Sequence, residues 1–178
     1  MATGKIVSIN VSRGGVPKLP VDEAQVGPRG LTMDAQADLK HHGSPEQALC
    51  LYSLEVIEAL QAEGHPIYPG AAGENITTSG IEWGQVVPGV RLRLGADVLI
   101  EVTHWATPCN KNAGRFIDGE FTRMGQPLHP GWSRTYARVL EGGRIRAGDP
   151  IELLSATAHE RVARQQPPTV RWPRDFSR

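Results

Sequence analysis

Val90-Arg91-Leu92-Arg93-Leu94-Gly95-Ala96-Asp97-Val98-Leu99-Ile100-Glu101-Val102-Thr103-His104 is the stretch from which the fold is read. Val90, Leu92 and Leu94 fall on one face of an extended chain while Arg91 and Arg93 fall on the other, the two-residue period of a strand with one wet side. Gly95-Ala96-Asp97 is a turn signal, and Val98–His104 is the next strand candidate. The same punctuation recurs outward in both directions. Lys5–Val11 alternates with Val7, Ile9 and Val11 on one face, and Tyr136–Leu140 and Pro150–Leu154 are further strand candidates. Pro88-Gly89, Gly142-Gly143 and Gly148-Asp149 mark turns between them, and the chain carries twenty glycines and fourteen prolines in 178 residues. Many short strands with such turns favour a barrel or sandwich over a parallel sheet.

One segment reads as a helix. Ser53 suits the N-cap, Glu55 the positive end, and Leu54, Ile57 and Leu60 share a face; Gly64 then closes it. Just before it, Ala48-Leu49-Cys50-Leu51-Tyr52 is a continuous apolar run, read as a buried strand. The rival is a longer helix from Ser44, with Pro45 at its first position and Gln47 completing a capping box. The expectation is a mostly-β barrel with a few short helices over residues 1–155. An irregular tail, 156–178, follows; from 161 onward it holds five arginines against Asp175, together with Pro167, Pro168 and Pro173.

Nineteen basic residues balance nineteen acidic ones, which speaks against a general nucleic-acid binder. No apolar run approaches the ~20 residues that cross a bilayer, and the start lacks a signal-peptide pattern. Two cysteines do not make a disulfide scaffold, so a cytoplasmic protein with reduced thiols is expected.

Chemistry-bearing residues gather in three polar segments: 34–43, 70–77 and 103–111. In the third, Pro108 ends the strand and leaves Cys109 on a loop at the sheet rim. Lys111, two residues on, favours the thiolate that acts as nucleophile or metal ligand. Cys50, inside an apolar run, reads as buried and inert. His41-His42 with His104 and Cys109 offers none of the tight ligand pairs of a zinc site. Gly73-Glu74-Asn75 lacks the ending of a phosphate loop, although its small neighbours allow a backbone to approach a ligand.

Taken in order, these segments resemble the MOSC family, the domain named after the C-terminal part of molybdenum-cofactor sulfurases. The resemblance rests on Gly30–Asp34 with Asp38–Ser44 and Ala48–Glu55, on Gly73-Glu74-Asn75-Ile76-Thr77, on Thr107-Pro108-Cys109-Asn110-Lys111, and on Gly131-Trp132, Tyr136–Leu140 and Gly148-Asp149. It implies a β-rich barrel and a cysteine that bears sulfur or ligates molybdenum in the molybdenum cofactor (molybdopterin). Carried over, Cys109 is the catalytic residue and the molybdenum ligand, and His42, Gly43, Gly73, Glu74 and Asn75 line or support its pocket. Lys40, Lys111 and Arg115 are the cationic candidates for the pterin phosphate. Met33-Asp34 stands where the family usually shows Gly-Asp, and Ala106-Thr107 where an arginine often precedes the proline–cysteine pair.

The implied function is a reductase of N-hydroxylated small molecules. Two cysteines are too few for a built-in iron–sulfur module, so electrons come from a separate donor protein. Two alternatives stand beside it. One is a sulfur carrier with a persulfide on Cys109, loaded by a separate sulfur-donor protein; the other is a non-enzymatic barrel that binds a pterin or another small anion. No nucleic acid and no membrane is expected as partner.

Overall fold

The computed structural model describes residues 3–35 and 44–154. The expectations placed on Lys40, His41, His42, Gly43 and the 156–178 tail fall outside the described residues. Strand β1 (Thr3–Val11) leads into three short strands, β2 (Leu19–Val21), β3 (Glu23–Gly27) and β4 (Gly30–Leu31). After a single 3-10 turn at Pro45–Gln47 come β5 (Leu49–Ser53) and the helix α1 (Leu54–Ala62). The rest is β6 (Ile76–Ser79), β7 (Arg91–Leu94), β8 (Val98–Trp105), β9 (Thr135–Glu141), β10 (Gly143–Arg146) and β11 (Pro150–Leu154).

Seven strands close on themselves in the order β11-β7-β8-β9-β5-β6-β1, because β1 pairs back onto β11; β2 extends β1 at the side. A smaller sheet, β10-β3-β4, sits apart. Cross-strand partners explain the closure. Leu94 faces Ile151 and Val98, Leu92 faces Leu153 and Ile100, Val102 and Leu49 both face Ala137, and Leu51 and Ile9 both face Ile76. All but the partly buried Leu153 are buried, and they belong to one apolar cluster or pack against it. The β7 alternation read from sequence is the observed one: Val90, Leu92 and Leu94 are inside, with Arg91 and Arg93 half-buried on the other side.

The first strand corrects its expectation. Its buried apolar residues are Ile6 and Ile9, not the set Val7, Ile9 and Val11. Pairing with β6 shifts register between Ile6 and Ser8, a bulge that moves one residue across the sheet and breaks a strict two-residue alternation.

The run at Ala48–Tyr52 is a strand, as preferred; the helical alternative is reduced to the 3-10 turn at Pro45–Gln47. Strand β5 is buried along its whole length because both faces are covered. Leu49, Leu51 and Tyr52 all join the apolar core, Tyr52 from the opposite face, where it packs edge-on against Trp83 with centroids 6.4 Å apart. Helix α1 starts as read: the Ser53 hydroxyl accepts from Val56 N, and Gly64 closes the end at φ +92°. The Tyr52 hydroxyl donates to the Trp132 carbonyl at 2.9 Å. Tyr52→Phe is expected to cost about 1 kcal/mol, the net worth of one buried hydrogen bond, as read by chemical denaturation.

Candidate functional site

The cavity lies against the β5–β9 wall, where loops from four parts of the chain converge. Cys50, Arg134 and Tyr136 form the wall, Gly73, Asn75 and Ala72 one side, and Val16 and Lys18 another. Thr107, Cys109, Lys111 and Asn112 close it, around a volume of about 110 Å3. That is several times the ~15 Å3 a single water needs, so the cavity has room for a chemical group.

Asn75 holds two of these walls together. Its backbone N donates to the Cys50 carbonyl at 2.8 Å, and its Oδ1 accepts from Cys50 N at 3.0 Å. Its Nδ2 donates to Asp34 Oδ2 at 2.9 Å. The amide therefore extends the β5 hydrogen bonding sideways, which explains an asparagine there. Gly73 has φ +90°, and a Cβ would sit 2.7 Å from Val16 Cγ1, so only glycine lets these loops meet. Both residues line the cavity.

Glu74 does not line the cavity; it braces the loop from Gly70 to Thr77 that carries Gly73 and Asn75. It is fully buried; Oε1 accepts from Gly70 N at 2.6 Å and from the Thr77 hydroxyl at 3.1 Å, and Oε2 has no partner. Burial pushes its carboxyl above the usual range, against the opposing pull of the Gly70 hydrogen bond.

Cys109 occupies the rim position read for it. It follows Pro108 beyond the end of β8, is exposed, and has extended backbone at φ −133°. Its carbonyl accepts from Asn112 N, starting the 3-10 turn Asn110–Arg115, and its Sγ lies 3.9 Å from Asn112 Oδ1. Buried Asn112 donates in turn to the Ala72 carbonyl at 3.1 Å and ties the thiol's turn to the glycine-rich loop. Lys111 lines the cavity and is exposed. Arg115 does not line it; its guanidinium stacks 5.4 Å from the Tyr68 ring centroid. His104 does not line it either: its Nε2 lies 3.1 Å from Gln47 Nε2 and its ring tilts against Tyr136, behind two residues that do. Among the described residues no three His, Cys, Asp or Glu side chains cluster as a metal site.

Cys50, Lys18, Asp34 and Arg134 line the cavity but were not named as site residues from the sequence. Cys50 is buried, yet it borders the same cavity as Cys109, and burial raises its thiol to about 11. The apolar run announced the burial; only the pairing of Cys50 with Tyr136 reveals the cavity beside it. Lys18 and Asp34 form a shielded ion pair at 2.6 Å. Asp34 also accepts from Ser12 N at 2.8 Å, so it ties three loops together. Arg134 is 6% exposed and donates from Nη1 to the Ala72 carbonyl at 2.6 Å. A signal was available for Arg134, since it shares strand parity with Tyr136; none was available for Lys18.

The MOSC domain model matches residues 38–152, most of the chain and all of this constellation except Val16, Lys18 and Asp34. The chain belongs to the MOSC domain family. YflK of Bacillus subtilis, an uncharacterized protein, is 36% identical over 123 residues, covering 68% of this chain and 54% of its own length. This MOSC chain thus spans about half of that relative. YiiM of Escherichia coli is 29% identical over 181 residues, covering 98% of this chain and 78% of YiiM. The crystal structure of YiiM from Geobacillus stearothermophilus has the same fold, with a TM-score of 0.65 at 28% identity over 85% of this chain and 75% of that one. No helix among the described residues of this MOSC protein is long and apolar enough to cross a membrane.

Proposed function

We propose that this MOSC protein binds the molybdenum cofactor and reduces N-hydroxylated small molecules, with Cys109 as the molybdenum ligand. The observation that carries the reading is the exposed Cys109 thiol on a cavity walled by Gly73 and Asn75. The donor set fits such a group: a soft thiolate suits molybdenum, while Lys111 and Arg134 suit an anionic pterin. When bound, the cofactor supplies two-electron chemistry that no side chain offers.

The chain's own residues hold and position. Asn112 fixes the Cys109 turn against Ala72, so the sulfur stays at the rim. Asn75, with Asp34 and Lys18, keeps the opposite wall in place. His42 and Gly43 remain assigned to the same pocket by resemblance, Lys40 remains a cationic candidate for the pterin phosphate, and Glu74 braces the neighbouring Gly70 turn. The substrate loses its hydroxyl oxygen as water, taking up two protons and two electrons from a separate donor protein.

Metal analysis of protein made in a cofactor-producing host tests this directly. Wild type is expected to carry molybdenum and Cys109→Ala to lose it at an unchanged melting temperature. A Cys109→Ala protein that retained metal would overturn the assignment. Metal in neither protein would move the reading to the persulfide carrier, visible as sulfur added on Cys109 in mass spectra taken without reductant.

A further inference from the structure

We propose that a second pocket, separate from the Cys109 cavity, is a binding site for a small, neutral, planar aromatic molecule that carries a hydrogen-bond acceptor. The proposal rests on neither Cys109 nor a cofactor. Trp83, Val86, Val87, Trp105, Gln126 and Pro130 line a volume of about 260 Å3, more than twice that of the first cavity. No residue lines both. The end of β8 and the approach to β9 part them. Ala106 N donates to the Arg134 carbonyl at 2.9 Å, and the Ser133 hydroxyl donates to the Ala106 carbonyl at 3.1 Å. Arg134 lines the first cavity and Ser133, its neighbour, the second.

The lining selects the ligand. Trp83 is 8% exposed and held fast: its Nε1 donates to the Ser133 carbonyl at 2.9 Å, and its ring packs edge-on against Tyr52. Trp105, the last residue of β8, is 37% exposed, and its Nε1 donates to no described residue. A buried indole and an exposed one on the same small pocket suit a flat π-system, which stacks or packs edge-on against such rings. No charged side chain lines the pocket, so an ionised ligand would lose its hydration without gaining a partner. Gln126 Oε1 accepts from Gly131 N at 3.0 Å, which leaves Nε2 as a donor with no acceptor among the described residues. The two spare N–H groups, on Gln126 and Trp105, call for an acceptor on the ligand, a ring nitrogen or a carbonyl. The volume lies just below the ~300 Å3 at which small-molecule pockets usually begin, which leaves room for one or two fused rings.

Proton–nitrogen NMR of the full chain reads this site directly, since each of the four tryptophans gives its own indole N–H signal. The probes are quinoline, naphthalene (the same size without an acceptor) and quinoline-2-carboxylate, an anion. Wild type is expected to bind quinoline saturably in the millimolar range, the affinity open to so few ligand atoms, with the Trp83 and Trp105 signals moving. The anion is expected to bind more weakly. Trp105→Ala, whose spectrum assigns the Trp105 signal, is expected to bind at least about tenfold more weakly, and Trp105→Phe, which keeps a ring, to fall between it and wild type. Gln126→Glu keeps an oxygen for Gly131 N and removes the donor; it is expected to weaken quinoline about fivefold and to leave naphthalene unchanged. Cys109→Ala is the control that binds as wild type.

Naphthalene bound as tightly as quinoline, with no effect of Gln126→Glu, supports the aromatic site and overturns the acceptor. Quinoline-2-carboxylate bound as tightly as quinoline overturns the neutral ligand. No saturable shift at millimolar quinoline, unchanged affinity in the Trp105 variants, or binding lost in Cys109→Ala overturns the proposal as a whole.

Discussion

Asp34→Ala is expected to lower folding stability by about 3–5 kcal/mol, the cost of breaking a buried ion pair from one side. The carboxylate accepts from Lys18 Nζ with both oxygens, from Ser12 N and from Asn75 Nδ2. The side chains of Lys18 and Asp34 are only 10% and 6% exposed, so alanine leaves an ammonium shielded from water with nothing opposite it. It also frees the Asn75 amide that aligns the cavity wall. Urea denaturation of Asp34→Ala and of the double variant Lys18→Met/Asp34→Ala checks the cause. The double variant is expected to recover part of the loss, since the stranded charge is gone. A single-variant loss below about 1 kcal/mol, the scale of a surface pair, would refute the buried-pair account.

Glu74→Gln is expected to change how stability depends on pH. Glu74 has its folded pKa raised above the ordinary 4.5, so the folded protein binds this proton more tightly than the unfolded chain. The resulting stability is complete below pH 4.5 and is lost as pH rises through the folded value. One such group contributes a slope of at most about 1.4 kcal/mol per pH unit. Glutamine preserves an oxygen for Gly70 N and the Thr77 hydroxyl while removing the titration. The difference in unfolding free energy between Glu74→Gln and wild type should therefore grow in favour of the variant from pH 5 to pH 8. A difference that stays flat across that range would show that Glu74 does not titrate on folding.

How far the sequence carried the fold depends on the length of each signal. Strands β7, β8, β9 and β11 and helix α1 were legible because each has a period or a cap that acts over neighbouring residues. Strands β2, β3, β4, β6 and β10 were not. They have two to five residues each, too few to establish an alternation, and they exist because a partner strand holds them. Gly143, read as part of a turn, is the first residue of β10, since its lack of a side chain admits Asp97 and Val98 alongside. In β1 the alternation read from sequence held for Ile9 but missed Ile6, because a bulge is a property of pairing and leaves no mark in one strand.

The sequence by itself determined a mostly-β barrel, the capped helix after a buried strand, and the position of Cys109 on a loop at the sheet rim. Each follows from local rules: side-chain period, a hydroxyl before a helix, a proline that stops a strand. Only the tertiary structure decided that Cys50 shares the cavity with Cys109, that Asp34 neutralises Lys18, and that Arg134 is buried in the wall between them. These depend on which loops meet across the β5–β9 wall. Burial and counter-ions are properties of that meeting, and no spacing along the chain encodes them.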